Sequence, residues 1–128
     1  MLQGDVYEPD TIQYMIDHCG DGAIIHAGTF FGDFLPALAK TGNMVYAFEP
    51  VRENWEHAVK TLELNYPAGI PFHNVALMHA GVGEAGSDTT IMWKGGDGLR
   101  LGGASRFGYN IHNVRSDQLE NTHIVALD

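Results

Sequence analysis

Two glycines and a glutamate carry the chemistry most legible in this chain. Gly28 and Gly32 stand four positions apart in Ile24-Ile25-His26-Ala27-Gly28-Thr29-Phe30-Phe31-Gly32, and Glu49 follows Gly28 by 21 positions within Ala47-Phe48-Glu49-Pro50. A turn that leaves a parallel strand and lets backbone pass close to a ligand leaves no room for a Cβ, which is the reason for glycine there. The helix after such a turn points its free N–H groups back at the ligand. A carboxylate about 20 residues further on, at the tip of the next strand, accepts hydrogen bonds from the two hydroxyls of a ribose. Pro50 halts that strand and suits the first turn of a helix. Each piece also has a plainer reading. A Gly-x-x-x-Gly pair is often only turn and packing, and Glu49 also suits a solvated acid beside a helix N-terminus.

The elements that must position these residues are read from apolar spacing. Ile12, Met15 and Ile16 predict a helix over Pro9–Cys19, closed by Gly20 and Gly22. Ala23–Ala27 is a short apolar run of the kind that forms a buried parallel strand. Asp33–Lys40 reads as a helix, Met44–Phe48 as a second strand, Arg52–Asn65 as a helix with Trp55, Ala58, Val59 and Leu62 on one face, and Pro71–Leu77 as a third strand. This alternation is the βαβ pattern of a helix-covered parallel sheet, with right-handed connections.

From about Gly81 the style changes. Thr89–Trp93 has strand composition, Gly95-Gly96-Asp97-Gly98 is a turn, and a hairpin or irregular loop is expected between Asp88 and Asn113. Thr122–Leu127 reads as a fourth buried strand of the parallel sheet, stopping at Asp128. An apolar strand left at the edge in this way invites pairing with a second copy, so a homodimer is expected.

The chain has 128 residues, enough for one small domain with a single core. Its formal net charge of −9 repels phosphate backbones and anionic membranes, which argues against nucleic-acid or membrane partners. One cysteine, Cys19, forms no intramolecular disulfide and suits a reducing compartment. With no apolar run near ~20 residues and no secretion signal at the start, the expectation is a cytoplasmic protein.

The motifs together resemble the FkbM-type group of class I S-adenosylmethionine-dependent methyltransferases. His26–Gly32 stands at the first motif, roughly D-x-G-A-N-x-G, and Ala47–Pro50 at the A-F-E-P motif. Val75-Ala76-Leu77, Gly103-Ala104-Ser105 and Val114–Leu119 match later segments in order and spacing, and Ile124–Asp128 matches a closing I-x-x-D loosely. The resemblance implies an α/β fold, the N-terminal half of a Rossmann-like class I methyltransferase sheet with a β-hairpin or loop insertion. It spans the chain as one cofactor-binding domain that stops short of the family's last strands.

The resemblance also implies S-adenosylmethionine as cofactor and O-methylation of a small molecule or sugar as the reaction. Gly28, Thr29 and Gly32 would then border the methionine and ribose, Glu49 and Pro50 the ribose hydroxyls, Ala76 and Leu77 the adenine, and Asp128 the transferring methyl. Two positions depart from the family pattern. His26 replaces an acid that orients the cofactor's amino-acid end, and Phe30 replaces a small polar residue.

A hydroxyl acceptor needs a base near the methyl, and Asp128 is the first candidate, with His26 second. The other histidines show no metal-ligand spacing, and no metal is expected. Arg106 suits an anionic substrate or simple solvation; Trp93, Phe107 and Tyr109 suit an acceptor pocket or sheet cover. Two rival readings stand beside the methyltransferase. An NAD-binding Rossmann domain wants Gly-x-Gly-x-x-Gly, but Phe30 occupies the middle glycine position, and no Tyr-x-x-x-Lys pair is present. A non-catalytic module acting in binding or oligomerisation is the other.

Overall fold

The computed structural model describes residues 8–83, 87–93, 105–107 and 119–127. The chain is mixed α/β. Its elements run α1 (Pro9–His18), β1 (Ile24–Ala27), α2 (Leu35–Ala39), β2 (Val45–Phe48), α3 (Arg52–Leu64), β3 (Val75–Met78), β4 (Gly81–Val82), β5 (Ser87–Trp93), β6 (Ser105–Phe107) and β7 (Leu119–Val125). A 3₁₀ turn at Pro67–Gly69 follows α3, and β3 starts at Val75, later than the strand expected from Pro71, because His73 and Asn74 form a turn ahead of it.

Strands β1, β2 and β3 form a parallel sheet in that order. Because the order runs in one direction, two crossovers of the same hand place α2 and α3 on one face. The core lies there: Ile24, Val45 and Ala47 of the sheet pack with Leu35 and Leu38 of α2, Leu62 of α3 and Ile12 of α1. Leu35, Leu38, Val45 and Ala47 are wholly buried. The period-2 alternation of a strand sends Ile25 and Tyr46 to the other face, where they are 51% and 39% exposed.

The second sheet has the order β4-β7-β5-β6. Strands β5 and β6 are antiparallel, with Ile91 opposite Phe107, in keeping with the hairpin expected in this region. The last strand corrects two expectations. It does not join the parallel sheet: β7 pairs antiparallel with β5 from Ser87↔Ile124 to Met92↔Leu119, and parallel with β4 at Gly81↔Ile124 and Val82↔Val125. Nor is it the outermost strand of its sheet: β5 pairs with it from Leu119 to Ile124, and β4 pairs on its other side at Ile124 and Val125. The alternation along it gives the physical reason. Thr122 and Ile124 are buried while Asn121 and His123 are exposed, the pattern of a strand with one covered face rather than two.

Among the described residues, no helix is long and apolar enough to cross a membrane.

Candidate cofactor-binding site

The register Ala27↔Phe48↔Met78 aligns the carboxyl ends of the three parallel strands. Gly28, Glu49 and His79 are therefore the first residues beyond each strand, at the sheet end where open α/β sheets bind ligands. The backbone of the glycine turn is fixed by its neighbour strand: the N–H groups of Gly28 and Thr29 both donate to the Phe48 carbonyl, at 2.8 and 2.9 Å.

The two glycines do different jobs. Gly28 has φ +73°, and a Cβ built on it meets nothing within 4 Å, so its backbone faces open space. Gly32 has φ +74°, but a Cβ there would stand 2.9 Å from Cβ of Ala58. Gly32 thus makes room for α3, where the space a Cβ would take is already filled by Ala58. Between them Phe30 takes φ +55°, a left-handed conformation uncommon for a bulky side chain and costly by about 1–3 kcal/mol. Its ring stacks on that of Phe31, with centroids 3.9 Å apart, and Phe31 leans on His57 at 4.7 Å.

Glu49 explains how that strained turn holds. The residue is 4% exposed; Oε1 accepts from the Phe30 N–H at 2.7 Å, and Oε2 from the Val51 N–H at 2.9 Å. Charge-assisted bonds of this kind are the strong ones. Glu49 thus clamps the glycine turn to the start of α3, and the solvated-acid reading of this residue is set aside. An ionised carboxylate has about four acceptor positions, so clamping the backbone and accepting ribose hydroxyls are compatible in number.

His26 points to the helix-covered side, stacked on Phe34 with centroids 4.9 Å apart. Its Nδ1 shares a hydrogen bond of 2.8 Å with the Thr29 hydroxyl, and Thr29 is 1% exposed. Burial holds the pKa of His26 below the usual 6.5, with Asp33 pulling weakly the other way. The imidazole braces the turn at Thr29, as Glu49 does at Phe30.

Pro50 joins the site through its carbonyl, which accepts from Nε2 of His79 at 3.1 Å. Ala76 and Leu77 fall short of the strand end, which is Met78. Leu77 packs against the core, and Ala76 shares a register row with Tyr46 and Ile25. The structure therefore brings together His26, Gly28, Thr29, Phe30, Glu49 and Pro50, and leaves Ala76 and Leu77 within the strand. Asp128 lies outside the described residues, as do Gly103, Ala104 and Tyr109.

Two residues at this end were not singled out as site residues from the sequence. His79 has no metal-ligand spacing to mark it, and its place directly after β3 is the available signal. Asn54 is 1% exposed, and its Nδ2 has no hydrogen-bond partner among the described residues. It occupies the buried stripe Asn54, Ala58, Leu62 of α3, where the sequence suggested Trp55 and Val59 beside Ala58. Asn54 lies one helical turn before Ala58, the residue that touches Gly32.

Compared with known protein families, with curated proteins and with solved structures, the chain finds no match.

Proposed function

We propose that this chain binds S-adenosylmethionine at the carboxyl end of its parallel sheet, as the N-terminal half of a Rossmann-like, FkbM-type class I methyltransferase. The reaction on this reading is O-methylation of a small molecule or sugar. One observation carries it: the 2.7 Å bond from Phe30 N–H to Glu49 Oε1, which joins the glycine turn and the acid 21 positions after Gly28 into one site. Gly28 would pass the cofactor close to backbone, and Glu49 would accept the ribose hydroxyls. The bound cofactor would supply the methyl group as a sulfonium, and the protein orientation and a water-poor enclosure. His26 and Phe30 offer no carboxylate to the cofactor's amino-acid end, so affinity is expected to come mainly from the nucleoside part.

Glu49→Ala tests this by two readouts. Equilibrium dialysis with labelled S-adenosylmethionine should show at least a tenfold loss of affinity, since a hydrogen bond to a charged group is worth about 1.5–3 kcal/mol. Thermal unfolding should show a loss of stability as well, because the N–H groups of Phe30 and Val51 lose their acceptor. Undiminished affinity in a folded variant would remove Glu49 from the site and the reading with it.

A further inference from the structure

Two ionisable side chains grip the glycine turn after β1. Glu49 holds it at the Phe30 N–H, and His26 holds it at the Thr29 hydroxyl, 2.8 Å from Nδ1. Among the described residues the imidazole is that hydroxyl's hydrogen-bond partner, and Thr29 is too deeply buried for water to replace it. The backbone of Thr29 is engaged as well. Its N–H donates to the Phe48 carbonyl at 2.9 Å, and its carbonyl accepts from the Gly32 N–H at 2.8 Å. Phe30, next in line, is kept at φ +55°, a conformation that a bulky residue leaves once its neighbours stop enforcing it.

The surroundings of His26 are mostly apolar. Strand β2 sets Ala47 opposite it, and Phe34, at the start of α2, stacks on its ring. The charged groups near it are Asp33, one position before Phe34, and Glu49, which holds the turn at Phe30. Burial opposes the imidazolium more strongly than Asp33 favours it, so the fold selects the neutral ring at neutral pH. A neutral ring with no hydrogen on Nδ1 accepts the hydroxyl's one hydrogen. An imidazolium can only donate. Protonation therefore leaves that hydrogen without a partner in the interior and sets a positive charge against Phe34.

We propose that the His26–Thr29 contact is a pH-operated latch on the glycine turn: a proton taken up by the imidazole releases the Thr29 hydroxyl, and Phe30 then relaxes away from Glu49. The latch is a property of the turn itself. Only its consequence for a ligand rests on the S-adenosylmethionine reading, on which affinity falls as the turn lets go.

The test is NMR of the full chain without ligand, from pH 7.5 to 5.0, following the His26 ring nitrogens beside the backbone amides. The expected result is a step in the Gly28, Thr29 and Phe30 amide shifts that shares the midpoint of His26, below pH 6.5. Exchange of the Phe30 N–H with solvent, corrected for its ordinary pH dependence, should quicken across that step by at least about tenfold, the worth of one hydrogen bond. The amides of Asn43 and Val45, at the other end of the parallel sheet, should not follow, which separates release of the turn from acid unfolding. In His26→Gln, whose side chain keeps its charge state throughout, the step should vanish. Turn amides that ignore the His26 midpoint, a step retained in His26→Gln, or a step shared by Asn43 and Val45 would each overturn the proposal. Titration with S-adenosylhomocysteine at both ends of the range separates the two claims: no binding at pH 7.5 removes the cofactor reading, while the amide steps still decide the latch.

Discussion

Glu49 shows how a residue can be found in the sequence and yet do more than the sequence says. Its spacing from Gly28 marked it as a ligand for hydroxyls, but nothing in the spacing announced that its carboxylate would also clamp Phe30 and Val51. The glycines separate in the same way. Gly32→Ala should cost well over 1 kcal/mol of stability, since it adds a contact of 2.9 Å with Ala58 to an unfavourable φ of +74°. Gly28→Ala meets no neighbour and should cost only the backbone strain, about 1 kcal/mol, while weakening cofactor binding more than the fold. Denaturant unfolding beside a binding titration distinguishes the pair; equal effects on stability would show that both are packing glycines.

His26 adds a pH dependence at the same scale. Its pKa in the folded chain lies below 6.5, so the unfolded chain binds the proton more readily. The stability it contributes is present above pH 6.5 and is lost as the pH falls from there toward the folded-state value. Melting temperatures measured from pH 7.5 down to 5.5 should therefore fall more steeply for the parent than for His26→Gln. Parallel curves would show that the imidazole is not buried as described.

At the scale of elements, the first half of the fold was legible because each element carries a periodic signal and a stop. The α1 and α3 helices and the β1 and β2 strands fall within a residue or two of their expected bounds. What was missed has physical causes. Strand β3 starts late because His73 and Asn74 form a turn just ahead of it, and α2 is five residues long because Asp33 and Phe34 complete the glycine turn instead. Asn54 was overlooked because a polar residue on a buried helix stripe contradicts the apolar pattern that defines the stripe. Strand β7 was misplaced because the apolar run at its end outweighed the alternation of Asn121, Thr122, His123 and Ile124, which already spelled a strand covered on one face. Thr122 gives a check on that placement. Its hydroxyl is buried without a hydrogen-bond partner among the described residues, so Thr122→Val should raise stability by about 1 kcal/mol, read by chemical denaturation. A destabilised variant would mean that the hydroxyl has a partner and that β7 faces otherwise.

For the whole molecule, the parallel sheet sets the logic. Three strands in the order β1-β2-β3 put α2 and α3 on one face and bring three loop starts to one end. The turn after β1 is shaped by glycine, the residue after β2 is a buried acid, and the residue after β3 is an anchored histidine. That convergence is what the functional reading stands on. The most direct test is calorimetric titration of the purified chain with S-adenosylhomocysteine, with NAD as the control. Saturable binding of S-adenosylhomocysteine and none of NAD is the expected result. Binding of NAD alone, or of neither, would contradict the assignment of this sheet end to a methyl-donor cofactor.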